Sequence, residues 1–267
     1  MIMLEFNNLC KRYKRNTVAL DNLSFKVEAG RIYGLIGPNG AGKTTCMNIL
    51  AGLIRKNSGT IYVAEQEIKE SDYQYKSRIG FVLSRPLYLN MLNAYEYLSF
   101  VCAMYSIDES ESKQLIKELI SYFELETKMY ENINTYSTGM KKKISLAAAM
   151  IHKPEILVLD EPLESIEPQT SHLIKETLMS LSKKKNVTIL ISSHNLDVIE
   201  KLCDDIGIIH NGRIIFESPI ESLEENIKLK YNKTDLKSLE EVFVQIIGGE
   251  SKKQLSWLSG NIDEIQK

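Results

Sequence analysis

Cysteine is scarce and scattered in this chain. The four, Cys10, Cys46, Cys102 and Cys203, lie too far apart for a metal knuckle or a redox pair. A disulfide framework does not suit a chain of 267 residues, which is long enough to bury a real core. The thiols read as mostly buried groups of a reducing compartment. Cys46 stands beside a glycine-rich loop, where oxidation could act on that loop. No apolar run approaches the roughly 18 residues of a membrane-spanning helix. An excess of either charge is missing too: 33 Lys and Arg against 35 Asp and Glu leave a formal net charge of −2. Bulk charge therefore offers no attraction to nucleic acid or anionic lipid. Met1 to Arg15 carry no signal-peptide core. Repeats, low-complexity tracts and heptad arrays are absent as well. What remains is a globular chain expected on the cytoplasmic side.

Strand-like and helix-like stretches alternate, which predicts an α/β layer architecture. Ser24–Val27 alternates and ends at Ala29-Gly30; Arg31–Ile36 is a short apolar run that ends in a turn, as a buried strand does. Thr44–Leu53 has helical character, and Thr60–Ala64 and Ile79–Leu83 read as strands. From Asn93 to Phe123 the pattern is helical. Nine of the 13 tyrosines fall between Tyr73 and Tyr136, and this shift in composition marks a helical insertion. The rhythm then resumes: strand Ile156–Leu159, helix Thr170–Ser182, strand Val187–Ser192 and helix Asp197–Leu202. Ile206–Ile209 and Arg213–Phe216 form a hairpin turning at Asn211-Gly212. In the polar tail, Leu236, Leu239, Val242, Phe243, Ile246 and Ile247 fall at helical spacing. Thr234 or Asp235 would open that helix and Gly248-Gly249 would close it.

Gly37-Pro38-Asn39-Gly40-Ala41-Gly42-Lys43-Thr44-Thr45 fits the pattern G-x-x-x-x-G-K-[ST], with a strand before it and a helix after. Such glycines let successive N–H groups turn inward as an anion nest. The helix adds its positive N-terminal end. Lys43 would supply a mobile cation to the β and γ phosphates of a nucleotide, and the Thr44 hydroxyl is placed for Mg²⁺.

Ile156-Leu157-Val158-Leu159 runs straight into Asp160-Glu161. Burying paired acids is costly, so packing does not explain them. At the carboxyl end of a central strand they would face the crevice where ligands bind in such sheets. Asp160 suits Mg²⁺ through its water shell, and Glu161 suits polarising a water for attack on the γ phosphate. Val187–Ser192 repeats the pattern and ends at Ser193-His194, from which the imidazole would reach the γ phosphate. His152, His172 and His210 read as surface or structural.

Together these residues resemble the ATP-binding subunits of ABC transporters, over about residues 3 to 220. Tyr136-Ser137-Thr138-Gly139-Met140, ahead of a helix at Lys141–Ile151, is similar to the family's signature Leu-Ser-Gly-Gly-Gln. The resemblance implies an α/β P-loop NTPase core with a mostly parallel central sheet, an N-terminal antiparallel β subdomain and a helical insertion at about 86–150. Residues 221–267 would form an extension with an amphipathic helix. It also implies a homo- or heterodimer closed over two ATP molecules, with Ser137, Thr138, Gly139 and Met140 meeting the nucleotide of the partner subunit. A separate integral-membrane transporter subunit would provide the pore. Tyr13 would stack on adenine; its plainer reading is an exposed tyrosine among Lys11, Arg12, Lys14 and Arg15.

Three positions depart from the family pattern. Ser84 stands where the Q-loop glutamine would reach Mg²⁺, Thr138 replaces the first signature glycine, and Glu167 replaces an aspartate. They predict slow but competent ATP hydrolysis. Lys141, Lys142 and Lys143 open the signature helix, either as a solvated face or as a source of positive potential for nucleotide. The stretch Pro86, Leu87, Tyr88, Leu89 and Met91 is the expected docking surface for the membrane subunit, with core packing as the alternative. Trp257 and the tail helix would pack on this subunit or its partner. The resemblance extends to bacterial exporters of drugs and antimicrobial peptides. The competing functions are an ATP-binding regulatory subunit with little turnover, and a soluble switch on RNA or ribosomes. The single ATP-binding unit and near-neutral charge disfavour nucleic acid.

Overall fold

The computed structural model describes residues 1–14, 17–69, 71–84 and 91–231, with residues 239, 241 and 243. The strands form two sheets. β1 (Ile2–Arg12), β2 (Val18–Glu28), β4 (Ser58–Val63) and β5 (Gln66–Glu67) form an antiparallel sheet in the order β2-β1-β4-β5. The other six strands are β3 (Ile32–Ile36), β6 (Ile79–Val82), β7 (Ile156–Asp160), β8 (Thr188–Ser193), β9 (Asp205–His210) and β10 (Arg213–Pro219). Their order is β10-β9-β3-β8-β7-β6, parallel except for the antiparallel edge strand β10. Every residue of β3, β7 and β8 is buried. That explains why these strands read as continuous apolar runs, whereas β2 alternates with one face to solvent.

Alternate residues of the central strands feed two cores. Ile32, Ile36, Leu157, Leu159, Ile189 and Ile191 point to the helical side. Tyr33, Leu35, Ile156, Val158 and Leu190 point to the antiparallel sheet and to α1 (Lys43–Leu50). The helical side carries α2 (Ala94–Met104), α3 (Glu109–Tyr122), α4 (Thr138–Met150), α5 (Pro168–Lys185), α6 (Leu196–Leu202) and α7 (Leu223–Tyr231). The expected α/β class, parallel centre, antiparallel N-terminal sheet and helical insertion are all present.

Boundaries differ from the sequence reading in two places. The helix read over Thr44–Leu53 ends at Leu50, and Gly52 takes a positive φ of 73° just beyond it. The helical stretch Asn93–Phe123 is two helices. Asn93 opens the first with a capping box to Glu96, and Ser106, at φ 55°, lies in the break between them. The Asn211-Gly212 hairpin turn is as expected, with both residues at positive φ (48° and 76°) as a type I′ turn requires.

Of the tail helix, Leu239 is fully buried and Phe243 packs against the helical-side core. Thr234, Asp235, Leu236, Val242, Ile246, Ile247, Gly248, Gly249 and Trp257 lie outside the described residues, as do Arg15, Pro86, Leu87, Tyr88 and Leu89. Among the described residues, no helix is long and apolar enough to cross a membrane.

Candidate functional site

The parallel strands bring four segments to one edge. The phosphate loop leaves the carboxyl end of β3, Asp160-Glu161 ends β7, His194 follows β8, and Ser84 stands exposed two residues beyond β6. The register carries the juxtaposition: Asp160 pairs with Ser192, and Ile36 pairs with Ser193.

The loop is shaped by what surrounds it. Gly42 caps α1 at φ 119°, and a Cβ there would sit 2.6 Å from the Ala19 carbonyl oxygen. At Gly37 a Cβ would sit 2.3 Å from the Ile209 carbonyl oxygen. Packing excludes a Cβ at both positions, and at Gly42 the left-handed backbone favours glycine as well. From Pro38, Asn39 and Gly40 the loop turns back through Ala41 N–H, which donates to the Pro38 carbonyl at 3.1 Å. Gly212 N–H then donates to the Ala41 carbonyl at 2.9 Å, so the β9–β10 hairpin braces the loop from outside.

Lys43 is 6% exposed, and its Nζ donates to the Gly37 carbonyl at 2.6 Å. The same Nζ lies 3.7 Å from Glu161 Oε1, and Glu161 Oε2 lies 3.0 Å from His194 Nδ1. The carboxylate therefore stands between the loop lysine and the histidine. Glu161 adopts φ 51°, an unusual conformation for a residue with a side chain, and one that clusters at functional sites.

Asp160 is completely buried. Its Oδ1 accepts from Ser192 Oγ at 2.6 Å, while Oδ2 has no hydrogen-bond partner among the described residues. A buried carboxylate oxygen of this kind needs a cation or ordered water nearby. The Thr44 hydroxyl is on an exposed residue at the first turn of α1. Oxygen donors of these two kinds fit Mg²⁺.

Tyr13 is 42% exposed, and its hydroxyl lies 3.4 Å from Thr45 Oγ1. Lys11 Nζ sits 5.3 Å over the ring, so one face is already engaged in a cation–π contact. The ring thus stands at the mouth of the phosphate loop.

The signature segment is built as a helix start. Ser137 caps α4, its Oγ accepting from Met140 N–H at 3.3 Å, and Ser137 and Thr138 are exposed. A Cβ on Gly139 would meet nothing closer than Thr170 Oγ1, at 3.4 Å. Packing within this chain gives only a weak reason for glycine there, which fits an approach from outside. Glu167 stands at the N-cap position of α5, just before Pro168, without a side-chain capping bond among the described residues.

The solvated-face reading of the three lysines fails. Successive helical residues point about 100° apart, so three in a row cannot share one face. Lys143 is buried and pairs with Glu124 at 3.3 Å. Lys141 reaches the Asn134 carbonyl at 3.3 Å, and Lys142 Nζ donates to the Glu161 carbonyl at 2.7 Å. Burial lowers the Lys142 pKa, opposed by Glu164, Asp160 and Glu161 nearby. The oxidation reading of Cys46 fails as well, because full burial, with Asp160 adding to it, drives its thiol pKa strongly up.

Sequence reasoning missed Ser192 and the contact Lys142 makes with Glu161. Ser192 Oγ also accepts from Glu161 N–H at 3.0 Å, so it fixes both acids at once. A hydroxyl at the buried end of an apolar strand was the available signal. Lys142 left none, because its contact depends on α4 passing beside the end of β7.

Comparison with known proteins places these features in context. The ABC transporter family profile matches residues 20–164. The linearmycin resistance ATP-binding protein LnrL of Bacillus subtilis is 37% identical over 213 residues, covering 80% of this chain and 68% of that protein. The lantibiotic transport ATP-binding protein SrtF of Streptococcus pyogenes is 35% identical over 230 residues, covering 86% and 96%. A solved ATP-binding subunit of an ABC transporter superposes with a TM-score of 0.82 at 27% identity, covering 91% of this chain and 99% of that one.

Proposed function

The chain belongs to the ABC transporter family, as an ATP-binding and ATP-hydrolysing subunit that works with a separate membrane subunit, and on that premise we propose that Glu161 is its catalytic base. The observation that carries this is the placement of the Glu161 carboxylate between Lys43 Nζ (3.7 Å) and His194 Nδ1 (3.0 Å) at the mouth of the phosphate loop. There Glu161 orients the attacking water, and His194 contacts the γ phosphate. Lys43 and backbone N–H groups of the loop between Asn39 and Thr45 hold the β and γ phosphates, and Tyr13 stacks on the adenine. Thr44 and Asp160 would hold Mg²⁺, with Ser84 near it, and the ion neutralises phosphate charge when bound. Ser137, Thr138, Gly139 and Met140 receive the γ phosphate of the nucleotide on the partner subunit, at the positive end of α4.

Dimer closure over two nucleotides drives the membrane subunit. The cargo is an antimicrobial peptide or drug moved outward, in keeping with the names of the relatives. The subunit sits peripherally on the cytoplasmic face of the membrane through its partner. Residues 1–220 form the ATP-binding unit and 221–267 an extension. Turnover is slow, because Ser84 is too short to reach a water or metal directly and Thr138 adds bulk where phosphate approaches. The test is steady-state phosphate release by the purified protein beside Glu161→Gln. A loss of about 100-fold or more is expected for removing a general base; equal rates would sink the assignment.

A further inference from the structure

Lys142 is the second lysine of α4, yet its ammonium is turned inward to the end of β7. Nζ donates to the carbonyl of Glu161 at 2.7 Å, and that carbonyl also accepts from Glu164 N–H at 3.3 Å. On the other side of the residue, Glu161 N–H donates to Ser192 Oγ at 3.0 Å. Both polar groups of the Glu161 backbone are thus held by side chains of neighbouring elements, Ser192 from β8 and Lys142 from α4. This matters because Glu161 sits at φ 51°, where a side-chain-bearing residue stays only if its surroundings impose it. Relaxation of that backbone would swing the carboxylate away from Lys43 and His194. Burial makes this ammonium costly, nearby Glu164, Asp160 and Glu161 offset part of that cost, and the Glu161 carbonyl takes one of its hydrogen bonds.

We infer that Lys142 is a positioning residue for the catalytic base: it ties the Glu161 backbone to the signature helix and so keeps the carboxylate on its water. The inference rests on the reading of Glu161 as that base. It also ties two tasks to the N-terminal turns of one helix. Ser137, five residues earlier at the cap of α4, would meet the nucleotide of the partner subunit, while Lys142 grips the base that would serve this subunit's own nucleotide.

The test compares Lys142→Met, which keeps the stem and removes the donor, with Lys142→Arg, which restores a charged donor. Rates are measured on the full chain with Mg-ATP, alongside melting temperature. Lys142→Met should lower kcat by roughly 10–100-fold, the scale of a misplacement of about 1 Å, with KM within about twofold. Lys142→Arg should recover most of the loss. In the Glu161→Gln background, Lys142→Met should bring no further loss. A kcat within about threefold of the unsubstituted protein overturns the inference. So does a loss that adds in full to that of Glu161→Gln, or one that appears in KM and melting temperature and is not recovered by arginine. Should the methionine variant fail to fold, Lys142→Gln, which keeps a neutral donor on a shorter stem, is held to the same limits. Full activity of Glu161→Gln would instead remove the reading of the base itself, and a loss confined to Glu161→Gln would remove only the role of Lys142.

Discussion

Replacing Ser192 by alanine removes one oxygen from the buried end of β8 and leaves two groups stranded. The lost hydrogen bond to Asp160 Oδ1 is short, 2.6 Å, and goes to a carboxylate with no exposure. Bonds of that kind are worth about 1.5–3 kcal/mol. The Glu161 N–H loses its 3.0 Å acceptor as well, at about 1 kcal/mol. Asp160 Oδ2 has no partner among the described residues to take up the difference. The expected destabilisation of Ser192→Ala is therefore about 3 kcal/mol, or roughly 6–12 °C in Tm for a chain of this size. Ser193→Ala is the control on the same strand. Among the described residues its hydroxyl accepts a single 3.0 Å bond, from Asn195 N–H, so about 1 kcal/mol is at stake. Thermal unfolding of the three proteins, with and without Mg-ATP, reads the difference. Ligand binding to the folded form should narrow the gap if the cation shields Asp160. A Tm drop for Ser192→Ala no larger than that for Ser193→Ala would refute the reasoning.

Other consequences are equally open to measurement. Tyr13→Ala should weaken binding of a fluorescent ATP analogue by about 5–150-fold, since base–aromatic stacking is worth about 1–3 kcal/mol, while Tyr13→Trp should hold it; an unchanged Kd for the alanine variant would remove the ring from the adenine site. Glu217 is held above the usual carboxylate range chiefly by burial, with Asp205 adding to it, although Tyr33 Oη donates to it at 2.6 Å. A raised carboxyl contributes stability that is present below its unfolded pKa and is lost as pH rises through the folded value. Glu217→Gln should therefore gain in Tm over the parent at pH 7–8, and the gain should close as pH falls below about 4. A gain that persists at acid pH would show that charge at Glu217 is not its source.

The phosphate loop, the acidic strand end and the histidine were legible because each is local: an apolar strand stops and polar residues follow within a few positions. Their convergence needed only the rule that ligands gather at the carboxyl ends of parallel strands, and the β3-β8-β7 order obeys it. Ser192 and Lys142 were not legible because their partners come from other elements, Glu161 lying 31 and 19 residues away. The lysine triplet misled for a related reason. As a string it looks like one charged patch, whereas a helix fans it through about 200° and sends two of the three side chains inward. The break between α2 and α3 was hidden in the same way. Tyr105, stacked on His152 at 3.8 Å between ring centres, is held by a residue far along the chain.

The hairpin at Asn211-Gly212 carries a consequence for biosynthesis. The Ala41 carbonyl of the phosphate loop is met by the N–H of Gly212, about 170 residues later. The strand that carries the loop, β3, pairs with β8 and β9, which are also made late. At roughly 5–20 residues per second, a growing chain holds this loop without its final neighbours for about 9–34 s. During that interval the loop lacks the Gly212 brace and the strands beside β3. The earliest stable structure on the ribosome would be the β1-β2-β4 sheet, and the nucleotide site would close as one of the last events of synthesis.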